Sequence, residues 1–153
     1  MNLQTILKEE NIFIADSYKD TDTFYSDFAV FLKERGIIKD NDKVKRLFIK
    51  RENVQSTAIG KGAAAPHIFS DEFASFTFCL GLIREGMDFK APDEGPVHLI
   101  FLIMSDDRDV GLHLKTLAHI ARLVNSTDIV TAVTKAEDAA SIFKIVGESE
   151  KLV

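Results

Sequence analysis

The sequence has one cysteine, three prolines and no tryptophan among its 153 residues. Because Cys79 alone cannot form an internal disulfide, the sequence is typical of a protein from a reducing compartment, and we expect a cytoplasmic location. No apolar run approaches the roughly 20 residues of a membrane-spanning helix, so no stable membrane insertion is expected. Lys8, Glu9 and Glu10 place charges in the N-terminal stretch that would have to be apolar in a secretory signal, so we do not expect one.

Basic residues are also scarce: 19 Lys and Arg against 24 Asp and Glu give a net charge of −5. Nucleic acid is therefore not expected as a partner, because its binding depends on Lys and Arg that neutralise phosphates. The sequence contains no low-complexity linker and no internal repeat. We expect residues 1–153 to form a single domain, which at this length has a core without needing a disulfide or a metal.

Hydrophobic periodicity predicts helices and strands in alternation. Apolar residues recur at helical spacing over 22–35, before Gly36, and at the period of two expected of a strand over 75–86. Residues 97–104 are almost continuously apolar, as in a central strand covered on both faces. The remaining predicted elements are short segments at 3–7 and 12–14, helices at 41–52, 110–125 and 128–133, and a last helix from Thr134, which forms a capping box with Glu137, to Gly147.

This order of elements predicts an α/β fold. Strands that alternate with helices are typically covered by helices on both faces of the sheet. We therefore expect a three-layer α/β/α domain with a mixed β-sheet.

Two of the four histidines stand in contexts that favour chemistry. His67 follows Pro66 and a loop containing Gly60 and Gly62, whose main-chain N–H groups can approach an anion closely. His113 falls in the first turn of a predicted helix, where the unpaired N–H groups favour phosphate or carboxylate. An ordinary loop histidine and an ordinary helix-end histidine are the alternatives, and these patterns alone do not decide between them.

Other motifs give no specific site. His119 lies six residues beyond His113, on another side of the helix, so the two cannot chelate one metal as an i, i+4 pair does. His98 is expected to be a hydrogen-bonded strand residue, and Cys79 an inert core residue. The Asp106, Asp107 and Asp109 group lacks EF-hand spacing, and 60–62 lacks the spacing of a P-loop.

A longer pattern carries a resemblance. Its residues are Arg51-Glu52, Ser56-Thr57, Ile59-Gly60, Gly62 and Ala65-Pro66-His67, followed by Phe89, Ala91, Pro96-Val97, His113-Leu114 and Leu117-Ala118. In order and spacing they resemble the fructose/mannitol-type enzyme IIA domains of the bacterial phosphoenolpyruvate-dependent sugar phosphotransferase system (PTS), over nearly the whole chain. Ala58 stands where relatives commonly have glycine, and a positive φ there would strain alanine.

The resemblance implies a PTS IIA fold and a role for each site residue. His67 would accept a phosphoryl group from the phosphocarrier protein HPr and pass it to a cysteine of a IIB domain. His113 would stabilise the group and Arg51 would contact its oxygens, while Thr57, Gly60 and Gly62 are candidates for a phosphate-binding loop. In this family no metal or organic cofactor is needed.

Two roles fit this resemblance. The first is a phosphocarrier of the sugar phosphotransferase system, an enzyme component that relays the phosphoryl group. The second is a nitrogen-related regulatory IIA protein, phosphorylated on the same histidine, that binds kinases or transporters according to its phosphorylation state. A third class, a metal-dependent hydrolase, would retain tightly bound metal through purification.

Overall fold

The computed structural model describes all residues from Met1 to Val153. Its helices are α1 (Thr21–Glu34), α2 (Asn41–Val54), α3 (Val110–Ser126), α4 (Ile129–Thr134) and α5 (Ala139–Glu150). Its strands are β1 (Ile12–Ala15), β2 (Ala58–Gly60), β3 (Ala63–Ala64), β4 (His67–Phe69), β5 (Thr77–Met87) and β6 (Val97–Ser105). Single 3₁₀ turns occupy Leu3–Thr5, Glu9–Asn11 and Asp107–Asp109. None of the helices combines the length and the apolar character needed to span a lipid bilayer.

The strands form one mixed sheet, as predicted. β5 and β6 pair antiparallel at its centre, and β1 adds parallel to β5. On the other edge of β6, β3 and β4 follow each other, both parallel to it, and β2 pairs antiparallel with β3. Because β4 occupies the far part of this edge, His67 pairs with Ile103, near the carboxyl end of β6.

Helices cover both faces of the sheet, which confirms the three-layer prediction. Alternate side chains of a strand point to opposite faces, so the apolar strand β6 contributes to two cores. Ile100, Leu102 and Met104 pack with α1 and α2, whereas Leu99, Phe101 and Ile103 pack with α3, α4 and α5. Cys79 of β5 lies fully buried on the α1 and α2 side, and burial raises the pKa of its thiol.

Several predicted boundaries hold to within two residues. α1 begins after Asp20, whose side chain accepts from the Thr23 N–H at 2.7 Å. α2 continues to Val54, two residues beyond its predicted end, and carries Arg51 in its last turn. Ala58 is not among the residues with positive φ, so alanine is not strained there.

The predicted start and end of the last helix are wrong. Thr134 ends α4, where its hydroxyl donates to the Val130 carbonyl, and Asp138 instead caps α5 by accepting from the Ser141 N–H at 2.8 Å. Gly147 does not end this helix, which continues to Glu150. The carboxylate of Glu150 accepts from the backbone N–H groups of Leu3 and Gln4, so contacts with the N-terminal segment reach this last turn.

Gly86 is also not the end of its strand: it lies within β5, at a register shift between β5 and β6. Its φ is +79°, and a Cβ there would lie 2.9 Å from the His98 ring and 3.0 Å from Pro96. We expect Gly86→Ala to lower the free energy of unfolding by about 2 kcal/mol, because an L-residue is strained at this φ and crowds the ring. Urea unfolding measures the change.

Gly111→Ala is the matched control for this substitution. Gly111 lies in α3 without a positive φ, and an added Cβ meets no heavy atom within 4 Å. Alanine there should leave stability unchanged or raise it by up to about 1 kcal/mol, because alanine is the better helix former. An unchanged urea midpoint for Gly86→Ala would contradict the strain assigned to position 86.

Candidate functional site

His67 is half-buried at the start of β4, immediately after Pro66. Its Nδ1 lies 3.0 Å from the carbonyl oxygen of Ala65. A carbonyl can only accept, so Nδ1 carries the proton and donates it. The other ring nitrogen, Nε2, is then left with its lone pair, which is the form of imidazole that acts as a nucleophile.

His113 lies beside His67. The centroids of the two imidazole rings are 6.5 Å apart, and the ring planes are inclined at 75°. This proximity follows from the topology: α3 starts just after β6, so its first turn lies over the sheet edge where β4 pairs with the end of β6. The structure therefore brings together the two histidines that the sequence singled out.

His113 is 2% exposed and sits among aromatic side chains. Phe69 stacks on it with ring centroids 4.2 Å apart, and Phe76 approaches edge-on at 5.6 Å. The imidazole Nε2 lies 2.6 Å from Oγ of Ser105, whereas Nδ1 is buried without a hydrogen-bond partner. These contacts hold the ring in one orientation.

The pKa of His113 lies below its ordinary value of 6.5. Burial is the main cause, because it disfavours the charged ring; positive charge on His67 acts in the same direction, and the Asp109 carboxylate opposes both. His113 is accordingly neutral at neutral pH, so it adds little charge of its own to the site.

This shift predicts how stability depends on pH. The unfolded chain binds a proton at His113 more readily than the folded chain does, so the contribution of His113 to stability declines as pH falls below about 6.5. We expect the parent to lose more stability between pH 7.5 and 5.5 than a His113→Gln variant, measured by urea unfolding. Both proteins carry the same carboxylates, so the contribution of these groups cancels when the two changes in stability are subtracted. An NMR titration of His113 with a midpoint at or above 6.5 would contradict the assignment.

Arg51 and His67 line the same surface groove. The groove has a volume of about 380 Å³, and its other lining residues are Leu47, Lys50, Val54, Ile68 and Phe69. One guanidinium nitrogen, Nη1, donates to the Gln55 carbonyl at 2.8 Å, at the carboxyl end of α2. Because a guanidinium has five N–H donors in a planar fork, donors remain for an anion in the groove.

Thr57 is tied to Glu52, the residue next to Arg51. The Glu52 carboxylate accepts from the Thr57 N–H at 2.6 Å and from its hydroxyl at 2.8 Å, and it also accepts from the Tyr25 hydroxyl at 2.5 Å. The Thr57 carbonyl in turn accepts from the N–H of Ala65, whose own carbonyl holds His67. Thr57 thus connects the end of α2 to the backbone beside His67, and its hydroxyl is already engaged.

The structure does not bring Gly60 and Gly62 to His67. Gly60 is the last residue of β2 and Gly62 lies in the tight turn before β3, where its carbonyl accepts from the N–H groups of His98 and Leu99 at the start of β6. His67 pairs with Ile103, four positions beyond Leu99 along β6. At the usual rise of a strand, Leu99 and Ile103 are about 13 Å apart. Gly60 and Gly62 therefore do not form a phosphate-binding loop around His67.

The other two histidines have structural partners, and for His98 this agrees with the hydrogen-bonded strand residue expected from the sequence. Nδ1 of His98 lies 3.2 Å from the Ile83 carbonyl oxygen, and Nε2 of His119 lies 2.8 Å from the Glu150 carboxylate. No three His, Cys, Asp or Glu side chains are grouped so that they could ligate a metal ion.

Two contacts of the site have little or no signal in the sequence. Ser105 ends an apolar strand, and its lone hydroxyl among buried residues is the only indication of a role. Glu52 belongs to the Arg51-Glu52 pair of the resemblance, but no local pattern indicates that Tyr25, 27 residues earlier, donates to it.

Comparison with solved structures places the fold among PTS IIA proteins. The nitrogen regulatory protein IIA-Ntr from Neisseria meningitidis superposes with a TM-score of 0.84 and 25% identity, covering 94% of this chain and 98% of that one. The Escherichia coli complex of enzyme IIA-Mtl with phosphorylated enzyme IIB-Mtl gives 0.76 at 14% identity, covering 93% of this chain and 97% of that one. The second likeness concerns the fold alone.

Comparison of sequences gives the family. The family model of the phosphoenolpyruvate-dependent sugar phosphotransferase system EIIA 2 matches residues 5–149. The chain therefore belongs to this family of PTS phosphocarrier components. Its relatives include both sugar-specific and nitrogen regulatory proteins.

Two curated relatives illustrate this range. A Bacillus subtilis "PTS system fructose-specific EIIABC component" is 24% identical over 99% of this chain, which spans only 24% of that longer protein. A Bradyrhizobium diazoefficiens "Nitrogen regulatory protein" is 31% identical over 67% of each chain.

Proposed function

We propose that the chain is a phosphocarrier that accepts a phosphoryl group on Nε2 of His67 from phospho-HPr and passes it to a cysteine of a IIB domain. The observation that carries this proposal is the hydrogen bond between His67 Nδ1 and the Ala65 carbonyl. It fixes the tautomer and the orientation of the ring, so that the nucleophilic nitrogen is the one remote from the backbone.

The transfer is an in-line exchange at phosphorus. The bond from phosphorus to the nitrogen of the donor histidine breaks as the bond to His67 Nε2 forms, and no proton needs to leave His67, because Nδ1–H is retained. Onward transfer repeats the exchange with a thiolate as the acceptor. Such transfers ask the protein mainly for alignment and for stabilisation of negative charge on the phosphoryl oxygens. Arg51, which lines the groove with His67, is the proposed source of that stabilisation.

The surface around the site suits a protein partner. Val54 and Phe69 are 78% and 39% exposed, and Val110 and Leu114, in the first turns of α3, are 47% and 63% exposed. Exposed apolar side chains around a polar centre are typical of protein docking sites. The solved complex of a mannitol IIA with phosphorylated IIB supports a IIB domain as the acceptor for this chain too.

A nitrogen-related regulatory role is the second candidate. The observation in its favour is that the IIA-Ntr structure superposes with the higher TM-score, 0.84 against 0.76, and that a nitrogen regulatory relative is 31% identical. In that role the same phosphorylated His67 would switch binding to a kinase or transporter rather than feed a IIB cysteine.

A labelling experiment separates the two roles. The protein is incubated with labelled phosphoenolpyruvate, enzyme I and HPr, and fructose- or mannitol-type IIB domains are then added. A carrier loses its label to IIB as fast as it gains label from HPr. A label that stays on the protein, together with partners that bind one phosphorylation state only, would decide for the regulatory role.

The same assay tests His113. We expect His113→Ala to retain detectable labelling, because the nucleophile remains, but to pass the label to IIB more slowly than the parent. A substitution of buried His119 is the control, because this residue lies on the same helix but is hydrogen-bonded to Glu150 and not to a residue of the site. Transfer by His113→Ala at the parental rate would remove His113 from the mechanism.

A further inference from the structure

Ser105 is a fully buried serine at the end of β6, and its hydroxyl lies between two partners. Oγ is 2.9 Å from the Asp106 carbonyl oxygen and 2.6 Å from Nε2 of His113. Both distances are within hydrogen-bond range. The Ser105 hydroxyl makes no hydrogen bond to His67, so we expect its effect on the site to act through His113.

Counting protons assigns the donors. A serine hydroxyl has one proton, and a carbonyl oxygen can only accept. If the Ser105 hydroxyl donates to Asp106, its Oγ can only accept from His113, and the proton of the neutral imidazole must then be on Nε2. Nδ1 of His113 is consequently bare; it is buried and has no partner in the protein.

We propose that Ser105 is a positioning residue that fixes His113 as the Nε2–H tautomer and keeps Nδ1 free for a proton taken up when His67 is phosphorylated. The second part rests on the proposed function. In this tautomer, neutral His113 gives its only N–H to Ser105 and has none for a phosphoryl oxygen. It becomes a second donor only as the imidazolium.

The charges around the ring favour that proton uptake. The centroids of the His67 and His113 rings are 6.5 Å apart, so a phosphoryl group on His67 adds negative charge near the His113 ring. Asp109 already acts in the same direction, whereas positive charge on His67 opposes it. Near Ser105, the Asp106 carboxylate is paired with Arg108, and Phe69 and Phe76 carry no charge. The proton comes from solvent, and Ser105 accepts from Nε2–H before and after.

The tautomer can be measured without phosphorylation. Long-range ¹H–¹⁵N correlation spectra of the ¹⁵N-labelled protein distinguish protonated from bare imidazole nitrogens. At pH 7.5 we expect a protonated Nε2 and a bare Nδ1 for His113 in the parent. In Ser105→Ala both nitrogens should shift toward the average of two exchanging tautomers, because the acceptor is gone.

Ser70→Ala is the matched control. Ser70 is a buried serine whose N–H donates to the Ser105 carbonyl, but its own hydroxyl accepts from the Glu72 N–H and does not touch His113. Its His113 nitrogens should match the parent. A bare Nε2 in the parent would overturn the proposal, since Ser105 would then be donating to it. So would unchanged nitrogens in a folded Ser105→Ala; if that variant does not fold, the parent spectrum alone decides the tautomer.

Phosphorylated protein tests the second part. At a pH where His113 is neutral in the unphosphorylated parent, we expect both of its nitrogens to be protonated after labelling with HPr. A bare Nδ1 in protein phosphorylated on His67 would refute proton uptake while leaving the proposed function intact. Absence of phosphorylation on His67 would refute the proposed function and this second part, but not the tautomer assignment.

Discussion

Replacing His67 with alanine should reduce labelling by phospho-HPr to the level of a reaction without the protein. The substitution removes the only imidazole nitrogen that is bare and directed away from the backbone at the groove. Removing a nucleophile that acts directly typically lowers a rate by several orders of magnitude, roughly 10⁶-fold in a well-studied hydrolase. His113 cannot substitute for it, because that ring is 2% exposed and held by Ser105.

Two controls make this result specific. His67→Ala should unfold in urea close to the parent midpoint, because the ring is half-buried and has one hydrogen bond, to Ala65. His98→Asn removes a histidine whose ring lies at the opposite end of β6, near Gly86, and should be labelled as the parent is. Parental labelling of His67→Ala would show that the phosphoryl group is carried elsewhere.

The two central strands could be predicted from the sequence because their side chains have only two faces to occupy. The alternation over 75–86 and the apolar run over 97–104 correspond to β5 and β6, which pair from Thr77 with Met104 to Met87 with Val97. A period of two, and burial on both faces, are properties of the strand itself. They need no knowledge of distant contacts.

The boundary between α4 and α5 could not be predicted in this way. Thr134 and Glu137 match a capping box locally, but Asp138 offers a competing cap. A long-range contact is made at this boundary: the guanidinium of Arg84, in β5, donates to the carbonyls of Ala136 and Glu137 at 2.8 and 3.0 Å. Those two carbonyls are held in the connection between the helices by a residue more than 50 positions away.

The site shows the same division. The resemblance of the sequence to IIA domains paired His67 with His113, and the structure places them side by side. The loop pattern before His67 also predicts that the N–H groups around Gly60 and Gly62 contribute to an anion site beside it. They lie at the turn that leads into β3, and β3 pairs at Leu99 whereas β4 pairs at Ile103, so the glycines lie toward the other end of β6 from His67. Only the pairing of β3 and β4 along one edge of β6 reveals this.

Glu52→Ala should have the second large effect, on stability and on phosphoryl transfer together. Its carboxylate accepts three hydrogen bonds, one from the buried Tyr25 hydroxyl and two from Thr57. Hydrogen bonds to charged groups contribute more than neutral ones, and a buried donor left unpaired costs about 1–3 kcal/mol. We expect the free energy of unfolding to fall by about 3 to 5 kcal/mol, measured by urea unfolding.

A double-mutant cycle identifies the cause. Tyr25→Phe should be mildly destabilising in the parent, by about 1 kcal/mol, because one of the three hydrogen bonds is lost. In the Glu52→Ala background the same substitution should be neutral or stabilising, because it removes a hydroxyl that no longer has an acceptor. Equal effects of Tyr25→Phe in both backgrounds would contradict an energetic coupling between Tyr25 and Glu52.

Transfer should also suffer, although Glu52 does not touch His67. Glu52 joins the last turn of α2, which carries Arg51, to Thr57, and Thr57 bonds to the backbone of Ala65 beside His67. Without the carboxylate, the hydrogen bonds that fix the end of α2 to Thr57 are lost, so Arg51 and His67 are held less firmly relative to each other. Phosphoryl transfer is sensitive to misplacement of about 1 Å. At a temperature where Glu52→Ala is fully folded, we expect labelling to be slower than in the parent, whereas Tyr25→Phe, which leaves both Thr57 contacts in place, should be labelled normally. Parental labelling of folded Glu52→Ala would restrict this carboxylate to stability alone.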